Sequence, residues 1–82
     1  MELLIGREQQ GNQLMVVVDG KPYRIDVNNS VPDSVSRFNP SNGAAHCRII
    51  ISTNGIRLEN LNEMNSTYVN GESVESCRIS PT

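Results

Sequence analysis

The sequence predicts an all-β fold, an antiparallel sandwich of short strands, and three observations carry that expectation. The first is period-2 alternation. In Tyr23-Arg24-Ile25-Asp26-Val27 and in Ile56-Arg57-Leu58-Glu59, apolar and charged residues take turns, which places one face of a strand on a core and the other in water. The second is a set of four dipeptides, Asp19-Gly20, Asn42-Gly43, Asn54-Gly55 and Asn70-Gly71. Such pairs favour type I′ hairpin turns because both central residues tolerate positive φ. The third is the lack of a helical signal. No stretch long enough for a helix spaces its apolar residues at helical intervals, and Ala occurs only at Ala44 and Ala45.

Taken in order, Glu2 to Arg7 is a first strand, opening on the aliphatic run Leu3-Leu4-Ile5. Gln13 to Val18 and Lys21 to Val27 form a hairpin about Asp19-Gly20. His46 to Ser52 and Gly55 to Asn60 form a second about Asn54-Gly55. Thr67 to Asn70 and Ser73 to Ile79 form a third about Asn70-Gly71. Leu14 to Val18 and Ile49 to Ile51 are continuous apolar runs, the pattern of strands covered on both faces.

The rhythm breaks from Asn28 to Ala45, where Pro32, Pro40, Gly43 and four serines leave few periodic apolar residues. At about 18 residues this connection is longer than an ordinary loop, and such loops are functional or disordered. The chain's last residues, Ser76 to Thr82, read as a strand running into Pro81-Thr82 with no closing element. The expectation is one domain over residues 1–82, lacking its last strands and belonging to a longer protein.

Composition narrows the function. Seven basic and nine acidic residues give a formal net charge of −2. That balance disfavours a sequence-independent nucleic-acid binder, which needs a basic face. No run of like charge offers a membrane tether or an acidic tail. The N-terminal Met-Glu-Leu-Leu-Ile-Gly-Arg is neither a secretory leader nor a membrane span. Two cysteines, Cys47 and Cys77, with no export signal favour reduced thiols in a cytoplasmic setting over a disulfide.

Catalysis finds no support. With one histidine, a zinc set of His46, Cys47 and Cys77 is a ligand or more short. His46 and Cys47 are neighbours on a strand and point to opposite faces, so they make no nucleophile–base pair. No glycine-rich loop leads into a helix, and no cofactor or metal is implied.

An anion site is a different matter. A phosphate monoester needs a guanidinium, hydroxyl or amide donors, and backbone N–H groups held by rigid turns. The candidates at strand ends are Arg7, Ser36, Arg37, Ser41, Asn62, Asn65 and Ser66. On the residues alone Arg7, placed just after a glycine that ends an apolar strand, reads either as a presented anion ligand or as a solvated surface arginine.

Gly6-Arg7, then Ser36-Arg37 followed by His46, then Asn60-Leu61 through Asn65-Ser66-Thr67-Tyr68-Val69-Asn70-Gly71 form an order that resembles the forkhead-associated (FHA) domain family, whose members bind phosphothreonine peptides. The resemblance implies that Arg7 contacts phosphate, that Ser36 or Ser41 adds a hydroxyl, and that Asn65 holds the peptide main chain. Arg37 and Ser66 join them as candidate ligands. Gly6, His46, Asn70 and Gly71 are implied as supports of the binding loop. The sequence also departs from the family pattern. Eight residues, Phe38 to Ala45, separate Arg37 from His46 where the family has one. Counting back from His46 puts Gly43 at the family's phosphate-binding serine. Met64 replaces a hydroxyl residue, Glu63 brings a carboxylate, and Ser66 stands in place of a glycine.

The expected function is a phosphothreonine-peptide binding module mediating protein–protein interaction in signalling. The alternative is a degenerate member that assembles with a partner without phosphate. The expected partner is a phosphothreonine-containing protein or peptide, with no nucleic acid and no membrane contact. Open sheet edges add the expectation of a homo-oligomer.

Overall fold

The computed structural model describes residues 1–28 and 30–79. Eight strands are present: β1 (Glu2–Arg7), β2 (Leu14–Val18), β3 (Lys21–Ile25), β4 (Cys47–Ser52), β5 (Gly55–Asn60), β6 (Thr67–Val69), β7 (Glu72–Val74) and β8 (Ser76–Ile79). The fold is all-β and antiparallel, as the alternation requires. Six strands form one sheet in the order β3-β2-β1-β4-β5-β8, and β6 pairs with β7 in a separate ribbon. No helix of the described residues is long and apolar enough to cross a membrane. The last three residues, on which the expectation of missing strands turns, lie outside the described residues.

Leu4 and buried Val17 pair on one face of the sheet, while the register gathers most of the aliphatic side chains on the other. Leu3 lies opposite Val18 and Ile49, Ile5 opposite Val16 and Cys47, and Leu58 opposite Ile49 and Cys77. Cys47 and Leu58 are buried there. Cys47 and Cys77 flank β5 on neighbouring strands and both are free thiols. Burial pushes the Cys47 thiol above its ordinary value, which leaves it protonated and unreactive.

Three sequence expectations need correction. Leu14 to Val18 and Ile49 to Ile51 are not covered on both faces; all but Val17 are half-buried, because these strands are flanked within their sheet but not layered on both sides. The alternating run at Tyr23 does not bury a face either: every residue of β3 is exposed, Tyr23 at 53% and Ile25 at 44%, so no second layer packs over this edge strand. The third correction concerns Ser73 to Ile79. This run breaks at Glu75, so β7 closes the small hairpin while β8 leaves it to pair with β5.

Turn chemistry divides the four dipeptides. Asp19 (φ 47°) with Gly20 (φ 86°) and Asn70 (φ 53°) with Gly71 (φ 84°) have both central residues in the left-handed region, as type I′ demands. Asn42 and Asn54 do not share it; only the following Gly43 and Gly55 have positive φ. In the second hairpin Ser52 pairs with Gly55, so the turn is Thr53-Asn54 and the glycine begins the strand.

Pro22 sits in β3, opposite Val17 and one residue in from the hairpin pair Val18–Lys21. In a two-residue hairpin the pair flanking the turn exchanges its hydrogen bonds and the next pair turns its backbone groups outward. Pro22 therefore removes an N–H from the free side of this edge.

Candidate functional site

The candidate residues sit on three connections: the end of β1, the β3–β4 loop and the β5–β6 loop. At the first, β1 continues past its pairing with β4 and meets the loop directly. The Arg7 N–H donates to the Ser36 carbonyl at 2.8 Å, and the Phe38 N–H donates to the Arg7 carbonyl at 2.7 Å. Gly6 makes this approach feasible. A Cβ there would come within 2.8 Å of the Ser36 carbonyl oxygen, closer than real side chains come to backbone, so the glycine is a packing requirement.

Arg7 emerges under the loop and not at its rim. Its side chain is only 11% exposed. Nε donates to the Val35 carbonyl at 3.1 Å, and Nη1 meets Asp33 Oδ1 at 3.4 Å, with Asp33 itself 97% exposed. Nη2 has no hydrogen-bond partner among the described residues. Arg37 turns the other way: its Nη1 donates to the carbonyls of Glu8 at 2.9 Å and Gly11 at 2.6 Å. One guanidinium thus ties the β1–β2 loop to the β3–β4 loop.

The second and third connections are joined through His46 and Asn62. The Ser36 N–H reaches His46 Nδ1 at 3.2 Å. A backbone N–H can only donate, so Nδ1 is the acceptor and Nε2 carries the hydrogen, which points to the Ser66 carbonyl at 3.3 Å. Asn62 works at both ends of its amide. Oδ1 accepts the N–H groups of Met64 at 2.7 Å and Asn65 at 2.8 Å, while Nδ2 donates to Ser36 Oγ and lies 3.3 Å from His46 Nδ1. Asn60 braces the same loop: Oδ1 accepts from Thr67 Oγ1 at 2.8 Å, and Nδ2 donates to the Asn62 carbonyl at 2.9 Å. His46 thus bridges the β3–β4 and β5–β6 connections.

Two cavities flank this network. One of about 390 Å³ is bordered by Ser34, Val35, His46, Asn65, Ser66 and Tyr68. The other, about 490 Å³, includes Ser36, Arg37, Phe38, Asn62 and Glu63 in its lining. The structure therefore brings Asn65 to Ser66, and Ser36 to Arg37, with the His46–Asn62 bridge between the two pairs. Arg7 borders neither cavity. Ser41 borders neither as well; it sits on the loop that Asn39 and Ala44 close, where its N–H meets Asn39 Oδ1 at 3.0 Å. Asn70 and Gly71 form the turn at the far end of the β6–β7 hairpin and act on the loop only by fixing β6.

Sequence reasoning passed over Asn60 and left Asn62 among general candidates. The available signal was the spacing Asn60-Leu61-Asn62 at a strand end, where asparagine caps turns by bonding N–H groups a few residues on. Asp33 gave no signal, since its meeting with Arg7 spans 26 residues of sequence.

The chain matches the FHA domain family model over residues 3–82. No curated protein and no solved structure matches the chain. The family match spans nearly the entire sequence and agrees with the all-β antiparallel structure, so this chain belongs to the FHA domain family.

Proposed function

We propose that this domain, a member of a family of phosphopeptide-recognition modules and not of enzymes, binds a phosphothreonine-containing segment of a partner protein in a cytoplasmic signalling setting. The observation that carries the reading is which groups the loop network leaves uncommitted. Ser36 Oγ accepts from Asn62, so its own O–H is free to donate to an anion. The Asn65 side chain is exposed and has no hydrogen-bond partner among the described residues, while its backbone is fixed by Asn62. Arg7 Nη2 has no hydrogen-bond partner among the described residues. A hydroxyl, an amide and a guanidinium on rigid loops are the donors a phosphate monoester and its adjoining main chain require. Val35 and Tyr68 give the smaller cavity an apolar side for the threonine methyl. One buried methyl is worth about 0.8 kcal/mol, or about fourfold over phosphoserine.

The test is fluorescence-anisotropy titration with an oriented phosphothreonine peptide library, with phosphoserine and unphosphorylated controls. Phosphate-dependent binding should weaken by about tenfold or more in Arg7→Ala and in Asn65→Ala, each removing a charge-assisted or main-chain bond. Asp33→Asn should tighten it severalfold, because the carboxylate on Arg7 competes with the incoming phosphate. A folded protein that binds no member of the library would sink the proposal.

One observation favours a second reading, a partner interface that needs no phosphate. Arg7 is largely covered and already faces Asp33, and Glu63 adds a carboxylate to the rim of the larger cavity. Under that reading binding is indifferent both to phosphorylation and to Arg7→Ala.

A further inference from the structure

At the other end of the sheet from the His46–Asn62 network, beside the turn between β4 and β5, two arginines stand directly opposite each other. Arg57 on β5 pairs with Arg78 on β8, so both side chains leave the same face of the sheet with Cβ atoms about 5 Å apart. Like charges in that position destabilise a sheet. The usual remedy, a neighbouring carboxylate, is missing among the described residues: Arg7, Arg24 and Arg48 each have an acidic partner, whereas Arg57 and Arg78 have none. Glu59, two residues along on the same face, is taken by Arg48 at 2.7 Å.

Neutral oxygens hold the two guanidinium groups in place. Arg57 Nη1 donates to Ser76 Oγ at 2.6 Å, and Arg78 Nη2 donates to the Asn54 carbonyl at 2.8 Å. Gly55 makes the second anchor possible. A Cβ there would lie 3.2 Å from Arg78 Nε, so the glycine lets the guanidinium rest over the turn. Together with Ser52 and Asn54, the two arginines line a groove of about 290 Å³. Each keeps further N–H donors for a third party.

We propose that Arg57 and Arg78 form a second anion site, separate from the peptide-binding loops, which takes the dianion of a phosphate monoester. Two positive charges match its two negative ones, and each guanidinium presents its donors in a planar fork suited to phosphate oxygens. The bound anion also offsets the cross-strand repulsion, which gives this pair a reason to be tolerated. The site does not depend on phosphothreonine recognition at Arg7. A domain with both sites would engage a doubly phosphorylated partner, or a phosphorylated partner beside a phosphorylated lipid headgroup.

The experiment is an NMR titration with inorganic phosphate at constant ionic strength, following the Arg57 and Arg78 Nε–H signals and, as a separate reporter of the peptide loops, the Asn65 side-chain amide. The expected result is saturable movement of both arginine signals, with the apparent affinity falling about tenfold or more in Arg57→Gln and in Arg78→Gln. Both variants should fold, since glutamine keeps a donor and relieves the repulsion. Without phosphate their melting temperatures should match or exceed the parent's, and phosphate should raise only the parent's. Arginine signals that follow ionic strength alone, or that move equally in the variants, overturn the proposal whatever Asn65 does. Two further arms separate the sources: a doubly phosphorylated peptide, and phosphatidylcholine vesicles with and without a phosphoinositide. Loss of binding in Arg78→Gln identifies the source in whichever arm shows it, and binding in either arm that is insensitive to both substitutions counts against the site.

Discussion

Two asparagine-rich loops lie close together in this domain, and they are built on different principles. The loop from Asn39 to Ala44 is closed on itself: Asn39 N–H bonds the Ala44 carbonyl, Ser41 N–H bonds Asn39 Oδ1, and Ala44 N–H bonds Asn42 Oδ1. The loop from Leu61 to Ser66 uses the same local device, with Asn62 Oδ1 receiving two N–H groups, but the other end of that amide reaches Ser36 and His46 on a different connection. A self-closed loop can change shape at little cost to its neighbours. A cross-tied loop fixes the positions of its partners on another connection relative to its own.

The strongest way to break this contrast is Asn62→Ala. It removes an acceptor of two N–H groups and a donor into a half-buried network, an expected cost of about 2–3 kcal/mol. In a domain this small that is a large share of the total stability. Urea unfolding should show it, and phosphopeptide binding should fall with it. His46→Ala should cost less, about 1–2 kcal/mol, because it strands the Ser36 N–H and frees the Ser66 carbonyl. Asn42→Ala, which removes the same kind of local bond from the self-closed loop, should stay within about 0.5 kcal/mol. Equal losses in Asn62→Ala and Asn42→Ala would erase the distinction.

A smaller effect tests the third loop, which Arg37 and Glu8 hold. The Glu8 carboxyl lies below its ordinary value of 4.5, first because the Gln13 N–H bonds to it and next because Arg24 does. A lowered acid contributes its stability fully above that ordinary value and loses it as pH falls through the lowered one. The Gln13 amide signal should therefore titrate below pH 4.5, and Glu8→Gln should abolish that titration. A flat acid limb in the parent would contradict the contact.

The strand pattern was legible because each strand's information is local: alternation, β-branched residues and turn dipeptides lie within a few positions of one another. The split at Glu75 was not legible in this way. Val74 and Cys77 are three residues apart and would face opposite sides of a continuous strand, which by itself asks for no break. The site was harder to read. The family resemblance pointed to Ser36, His46 and Asn65, but the ties between their loops run through Asn62 across 16 and 26 residues of sequence. Its cross-loop reach has no local signature, since Asn42 bonds an N–H two residues on in the same way. The covering of Arg7 by Asp33 and Val35 is likewise a tertiary outcome, invisible to any spacing rule.

Pro22 makes the β3 edge a poor template. Its ring stands where an outward N–H would be, so a strand added beside β3 loses a ladder hydrogen bond and has to accommodate the ring. The domain thereby carries, in one residue, a local guard against unwanted strand addition at the edge whose side chains are most exposed.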